Sequence, residues 1–179
     1  QNWFVNTPVG GGVGYMMLNQ ENADSGSNSS VWNSTSPTST VFTLGNSGGV
    51  NDSTTYVAYC FKPIKGYSKM GNYTGNNNND GPFVYTGFKP AWVMIKNTSA
   101  TSQWPIIDAA RDPFNVTDAR LRANTNAAEA TETFFDFLSN GFKVRSTGTD
   151  KNDNGNSYFY MAFAQNPLVA SNNVIALAR

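Results

Sequence analysis

The sequence predicts an all-β protein built from antiparallel β-sandwich modules, with about eight strands in the complete module and little helix. Short runs of apolar and aromatic residues recur along the chain, and clusters of Gly, Asn, Asp and Ser separate them. Aromatic residues reach 13% while charged residues also make up only 13%, a composition that suits short strands joined by turns. Finally, two stretches resemble each other at a separation of about 100 residues, the size of a small domain.

The C-terminal copy of this repeat is a strand-loop-strand unit. Residues 141–145 are predicted to be its first strand, and residues 157–163 its second strand. The second strand is a nearly continuous apolar and aromatic run, which is typical of a strand buried on both faces. The first copy repeats the unit as residues 41–45 and 55–61, so both are predicted to be strands. The single cysteine, Cys60, is then interpreted as a small buried apolar residue.

The match extends outward from these units. Trp3 aligns with Trp104, residues 17–19 with residues 121–124, and Val31 with Phe134. Residues 67–101 of the second copy have no counterpart in the first copy, which therefore lacks its front half.

This alignment predicts the domain organisation. Residues 1–65 are expected to be a partial first module, residues 66–167 a complete second module, and residues 168–179 a C-terminal tail. We also expect that more polypeptide precedes Gln1 in the natural protein.

The other segments follow in chain order. Residues 24–40 are polar and are predicted to be a long loop anchored by Trp32. Residues 124–141 have some helical character, but the equivalent residues 21–36 are rich in Ser, Asn and Gly. We therefore expect at most one or two helical turns near Ala127. Further short strands are predicted over residues 3–5, 15–18, 67–73, 83–85, 91–96, 104–108 and 134–137.

Composition excludes several functions. The chain has no histidine and one cysteine, which excludes zinc sites built on His and Cys and also Ser-His-Asp or Cys-His catalysis. The net charge is zero, so we expect no nucleic-acid partner. No apolar run is long enough to span a bilayer, so we expect no membrane insertion. We also expect no cofactor and no metal.

With these segments placed, the sequence resembles a module of bacteriophage virion proteins, particularly those of marine phages. The order and spacing of several segments carry the resemblance. These are residues 71–76, 86–96, 108–111, 126–129, 139–143 and 157–164, with an ending at 166–179 like the natural C-terminus of such proteins. The resemblance implies a structural appendage, either a tail fibre or tip or a particle-decorating fibre, often near lectin-like β-sandwich modules. It supplies no catalytic or ligand-binding residues.

One loop partly matches a calcium-binding pattern. Asp150, Asn152 and Asn154 alternate before Gly155, as in the front of a calcium loop. The acid that should close the loop falls at Met161, within a predicted strand. A plain hairpin loop is the preferred interpretation, and a weak calcium site remains the alternative.

Two other residue sets have a chemical and a structural interpretation. Five carboxylates could include the pair that a glycoside hydrolase needs, but nothing fixes such a pair, so surface acids are preferred. Four tryptophans could form a sugar-stacking platform, but two recur at matched repeat positions, so core anchors are preferred. The carboxylates are Asp108, Asp112, Glu129, Glu132 and Asp136, and the tryptophans are Trp3, Trp32, Trp92 and Trp104.

We therefore expect a non-enzymatic structural protein on the surface of an extracellular phage particle, acting in assembly and host attachment. The expected partners are further copies of the chain, preferably in a trimer, other virion proteins and a host surface glycan. The alternative is a carbohydrate-binding module or secreted adhesin. Ligand contacts are predicted on two Asn-rich loops, because binding residues concentrate on loops held by a rigid scaffold. The candidate residues are Asn76, Asn78, Asp80, Asn152, Asp153 and Asn154.

Overall fold

The computed structural model describes residues 1–6 and 11–165. In this part of the chain the protein is almost entirely β, as predicted, with one two-stranded and one eight-stranded antiparallel sheet and a single short helix. The strands are β1 Phe4–Val5, β2 Met16–Met17, β3 Ser68–Thr74, β4 Phe83–Tyr85, β5 Pro90–Asn97, β6 Pro105–Asp108, β7 Thr117–Arg122, β8 Ala130–Leu138, β9 Gly141–Val144 and β10 Ser157–Ala164. The helix is α1, Ser29–Trp32.

The large sheet has the strand order β3-β10-β5-β6-β7-β8-β9-β4. Strands β5 to β9 form a meander, and β10 returns to lie between β3 and β5. The sheet curves so that its two edge strands, β3 and β4, approach each other. A hydrogen bond shows this approach: Lys69 on β3 donates to the carbonyl of Tyr85 on β4 at 2.7 Å. This curvature gives a sandwich close to a barrel.

The main core lies inside the curved sheet. On β10, Tyr158, Tyr160 and Ala162 point into it and are almost fully buried. The opposite face of β10 contributes Phe159 to a second apolar cluster with Met94 and Trp104. The prediction that residues 157–163 form a strand buried on both faces is thus confirmed.

The N-terminal residues cover this second cluster. Met16 of the β1-β2 hairpin packs into it, and the Trp104 indole donates to the carbonyls of Met17 and Gln20, each at 3.0 Å. The Lys96 ammonium donates to the carbonyl of Glu21 at 2.9 Å. Residues 16–21 therefore pack against the sandwich. The predicted domain limits themselves stay predictions.

Several local predictions are wrong. Residues 41–45 and 55–61 are not strands, and Cys60 is exposed rather than buried. Both stretches lack neighbouring strands among residues 1–6 and 11–165, and an isolated strand has no ladder to stabilise it. Trp3 is 54% exposed and is not a core anchor, whereas Trp32 and Trp104 are buried as expected.

Two smaller differences from the predictions concern β7 and α1. Strand β7 was not predicted, because charged residues interrupt its apolar pattern. Helix α1 lies in the predicted loop 24–40, and Asn28 caps it by accepting from the Val31 amide. No helix forms near Ala127, which agrees with the expectation of at most one or two turns. The predicted tail, residues 168–179, lies outside the described residues.

Among the residues that the structure describes, no helix is long and apolar enough to cross a membrane.

Candidate functional site

The two Asn-rich loops predicted to carry ligand contacts meet at one end of the sandwich. The first loop, residues 75–82, joins β3 to β4, and the second loop, residues 145–156, joins β9 to β10. We call their joint surface the apical surface. In the sequence these loops are two separate turns, far apart along the chain. The antiparallel pairing of β3 with β10 brings them together.

Asn152 holds the two loops together. Its side chain is fully buried, and its Oδ1 accepts a hydrogen bond from the Asn76 amide at 2.8 Å. Its Nδ2 donates to the carbonyls of Asn78 at 2.8 Å and Ser146 at 3.0 Å. Because its amide is fully used, Asn152 positions the loops and is not a ligand contact, contrary to the prediction.

The first loop is rigid through its own asparagines. The Asn76 Oδ1 accepts from the Asn78 amide at 3.1 Å, and the Asn78 Oδ1 accepts from the Asp80 amide at 2.8 Å. Asn77 has a φ of 50°, a left-handed conformation that asparagine tolerates better than most residues. The predicted contact residues Asn76 and Asn78 are exposed, but their side chains also shape the loop.

Two glycines allow the loops to approach. A Cβ on Gly75 would lie 2.2 Å from the carbonyl oxygen of Asp153, and a Cβ on Gly81 would lie 2.7 Å from that of Val144. Such distances leave no room for a side chain, so the sequence requires glycine at both ends of the loop. In the sequence, Gly75 and Gly81 flank the asparagine run. This spacing was the signal that could have indicated close packing of the loops.

Asp80 gives the apical surface a local charge pair. Its carboxylate is 79% exposed and lies 2.8 Å from the Lys143 ammonium and 3.9 Å from the Arg145 guanidinium. The hydrogen bond from Lys143 lowers the pKa of Asp80 below its ordinary value. Asp80 is therefore ionised at neutral pH, beside two cations.

Tyrosine hydroxyls hold the second loop from below. The Tyr158 hydroxyl donates to the Thr149 carbonyl at 3.0 Å and accepts from the Asp153 amide at 2.7 Å. The Tyr73 hydroxyl donates to the Lys151 carbonyl at 2.7 Å. Burial raises the pKa of Tyr158 to about 12, so the phenol stays neutral and keeps its proton for donation. Above this support, Asp153 is half-buried and Asn154 is exposed.

The calcium-like pattern does not form a ligand cage. The Asp150 carboxylate accepts from the Gln103 amide at 3.1 Å, and the Asn152 amide is used between the loops. In residues 1–6 and 11–165, no group of three or more His, Cys, Asp and Glu side chains could hold a metal ion.

The five candidate carboxylates are all engaged in ion pairs or hydrogen bonds, and two of them share one arginine. Asp108 pairs with Arg111 at 2.6 Å, and the same guanidinium contacts Glu129. Asp136 pairs with Arg145 at 3.2 Å. Asp112 accepts from the main-chain amide of Asp118, and Glu132 contacts Lys151 and Arg120. The structure therefore places these acids in structural networks along β6, β7 and β8.

The ionisation of two of these acids follows from their partners. Burial raises the pKa of Asp108, but the hydrogen bonds from Arg111 outweigh burial and bring the pKa below its ordinary value. Burial likewise raises the pKa of Glu132, and the hydrogen bond from Lys151 outweighs it, so that pKa is also lowered. Both carboxylates are ionised at neutral pH, with no proton to donate.

A half-buried charge cluster around Glu132 was not predicted from the sequence. The Lys151 side chain is almost fully buried, and its ammonium lies 4.3 Å from the centre of the Phe134 ring. The Arg120 guanidinium lies 5.8 Å from the same ring. The residues come from three distant segments, so no local spacing could reveal the cluster.

Comparison with known proteins gives one match. A family described as a domain of unknown function, DUF7483, matches residues 1–167. No curated protein and no solved structure matches the chain.

Proposed function

Because the chain belongs to the DUF7483 family, we infer its role from its own surfaces, and we propose a non-enzymatic structural module of a phage particle. In this proposal the protein is part of a fibre or tail appendage, acts in assembly and host attachment, and lies on the outside of the particle. It functions as a homo-oligomer, preferably a trimer, together with other virion proteins.

The observation that carries the proposal is the apical surface. Two Asn-rich loops meet at one end of a rigid sandwich, and buried Asn152 fixes them without adding an exposed group. The exposed part presents Asn79, Asp80 and Asn154. Amide groups donate to and accept from sugar hydroxyls, an ionised carboxylate accepts from them, and a preorganised surface loses little conformational entropy on binding. This arrangement suits recognition of a host surface glycan.

The state of the carboxylates supports a role without catalysis. Glycoside cleavage by an acid pair requires one carboxyl group that keeps its proton near neutral pH. Asp108 and Glu132 instead have lowered pKa values, and both lie in ion pairs. Their arrangement favours a structural role.

The assembly part of the proposal rests on the resemblance to virion modules and on exposed apolar residues. Val57, Tyr59 and Phe61 are all more than half exposed. A contiguous exposed apolar segment is characteristic of an interaction surface. In a larger assembly, a neighbouring module would cover this exposed apolar segment.

A carbohydrate-binding module or secreted adhesin is the second candidate, and the same apical surface favours it. The two candidates differ in whether the protein belongs to a particle.

The first test locates the protein. Purified phage particles are analysed by mass spectrometry, and immunogold labelling with an antibody against the apical loops is viewed by electron microscopy. We expect the protein in stoichiometric amount at the tail or on fibres. Its recovery only as a free protein outside particles would contradict the virion role and favour the secreted adhesin.

The second test measures attachment. The double variant Asn79→Ala/Asn154→Ala removes two exposed amides, and we expect at least about a tenfold loss of affinity for host cells, or about 1.4 kcal/mol. The control is Ser139→Ala, because Ser139 is exposed in the β8-β9 turn at the opposite end of the sandwich. Equal attachment by the double variant and the control would contradict glycan recognition by the apical surface.

A further inference from the structure

The N-terminal residues reproduce the hydrogen bonds of the sandwich at matched positions. The Trp3 amide donates to the Asn19 side chain at 2.9 Å, just as the Trp104 amide donates to the Asn124 side chain at 3.1 Å. The carbonyls of Trp3 and Trp104 accept from the amides of residues 18 and 123, at 2.9 and 3.0 Å. The β1-β2 hairpin thus has the geometry of the β6-β7 pair.

The match continues through the next segment. The Gly45 amide donates to the Val31 carbonyl at 2.7 Å, and the Arg145 amide donates to the Phe134 carbonyl at 2.9 Å. These are the same positions that the sequence repeat aligns.

The loop that follows also matches. The Tyr56 hydroxyl donates to the Gly48 carbonyl at 2.7 Å, as the Tyr158 hydroxyl donates to the Thr149 carbonyl at 3.0 Å. The described part of residues 1–56 therefore makes several of the contacts of residues 102–158, although it forms few strands.

Asn51 shows which contacts are missing. Its Nδ2 donates to the Gly45 carbonyl at 2.8 Å, and the Asn152 Nδ2 donates to the Ser146 carbonyl, one residue after Arg145, the counterpart of Gly45. Asn152 also binds Asn76 and Asn78, and is buried by them. Asn51 is exposed, and residues 1–6 and 11–165 contain no second loop of the 75–82 type to cover it.

The apolar residues show the same difference. Phe42 and Leu44 are 43% and 38% exposed, whereas their counterparts Phe142 and Val144 are fully buried. In the sandwich, β4 pairs with β9 beside those counterparts. In the first copy, Leu44 and Gly45 instead line an open depression of about 440 Å³ together with Ser29 and Asn33.

Residues 55–61 correspond to β10, which lies between β3 and β5. In β10, Ala162 is fully buried and Tyr158 stacks on Tyr73 with ring centres 5.0 Å apart. Cys60 and Tyr56 are the matching residues of the first copy. Neither has a neighbouring strand among the described residues.

We propose that residues 41–61 are an acceptor surface for a polypeptide segment of the same type as residues 66–101. The segment would add one β3-like and one β5-like strand on either side of residues 55–61, and a β4-like strand beside residues 41–45. Its loop would complete the hydrogen bonds of Asn51. This is strand addition, in which main-chain pairing provides affinity and side-chain pockets provide specificity.

A second copy of this chain is a poorer occupant. Its own residues 68–74 and 90–97 are already paired with β10, and releasing them would expose its core. The proposal therefore requires a segment that is not engaged in its own module.

The reactivity of the exposed Cys60 thiol can test this proposal. Trp3 aligns with Trp104, so a copy of residues 66–101 placed directly before Gln1 reproduces the spacing of the second module. In this fusion to the full chain, we expect Cys60 to react with a thiol reagent at least about 100-fold more slowly than in the unfused chain, because the thiol becomes part of a stable strand. Hydrogen exchange of residues 55–61 should slow in parallel.

Two controls define the result. A fusion carrying the same 66–101 composition in scrambled order should leave Cys60 as reactive as in the unfused chain. The variant Cys60→Ala/Ala162→Cys gives the reference rate for a thiol at the buried matching position. Unchanged Cys60 reactivity and exchange in the native fusion would overturn the proposal. So would Cys60 protection that appears in the unfused chain as its concentration rises, because that would identify a second copy as the occupant.

Discussion

Residues 41–61 and 141–163 have the same pattern of apolar residues and loop residues, yet they differ in burial. The Phe142 side chain is fully buried, whereas its counterpart Phe42 is 43% exposed. Phe159 is 3% exposed, whereas Val57, at the matching position, is 69% exposed. Several turn hydrogen bonds are the same in both regions, but only the second region forms strands.

The difference comes from the neighbouring strands. Residues 157–164 pair with β3 on one side and β5 on the other, and each ladder satisfies main-chain groups that would otherwise face water. Residues 55–61 have aromatic contacts, including one between Phe61 and Phe163 at 6.0 Å, but no ladder among the described residues. A strand-forming sequence therefore becomes a strand only where partners exist, as the context dependence of β propensity implies.

The largest expected difference between the two regions is in core packing. Phe142→Ala should lower the free energy of unfolding by about 3–5 kcal/mol, because it leaves a cavity in the main core. The matched variant Phe42→Ala should cost less than about 1 kcal/mol, since that side chain is partly in solvent. Urea denaturation of both variants measures the difference. Similar losses in the two variants would contradict the burial contrast.

The next effect concerns the loop asparagines. Asn152→Ala should cost about 2–4 kcal/mol, because it leaves the Asn76 amide and the carbonyls of Asn78 and Ser146 without their partner. The matched variant Asn51→Ala removes one hydrogen bond at an exposed position and should cost about 0.5–1 kcal/mol. Thermal unfolding measures both values, and hydrogen exchange of Asn76 should accelerate only in Asn152→Ala. If that amide stays protected, Asn152 does not hold the loops.

The smallest effect concerns the contact between the N-terminal residues and the sandwich, where the Lys96 ammonium donates to the Glu21 carbonyl. Burial lowers the pKa of Lys96 to about 8, while the pKa in the unfolded chain is about 10.4. Between these values the unfolded state binds more protons than the folded state, so the free energy of unfolding rises with pH. We expect a rise of roughly 1–3 kcal/mol from pH 8 to pH 10.

The control for this profile is Lys96→Met, in which the rise should be absent. Above about pH 10 stability should fall in both proteins, because burial raises the pKa of Tyr73, Tyr158 and Tyr160 and the unfolded tyrosines lose their protons first. Unfolding in urea at several pH values measures both trends. An equal rise in Lys96→Met would assign the pH dependence to another group.

The two loops of the candidate site could be predicted from the sequence, but the roles of their individual residues could not. The Asn-rich composition of residues 76–80 and 150–156 identified both loops. The sequence could not show that Asn152 is buried while Asn154 is exposed, because both follow the same turn pattern. The pairing of β3 with β10 decides which amide points between the loops.

The sequence by itself determined the fold class, most strands of residues 66–165 and the two loops, because alternating apolar residues and turn formers act over a few neighbouring residues. It also determined the repeat that relates residues 41–61 to residues 141–163. Only the tertiary structure decided which copy becomes a sheet and which stays open. The physical reason is that a strand needs hydrogen-bonding partners and a covering face from distant segments, and those segments are present beside β10 and absent beside residues 55–61 in the described part of the chain.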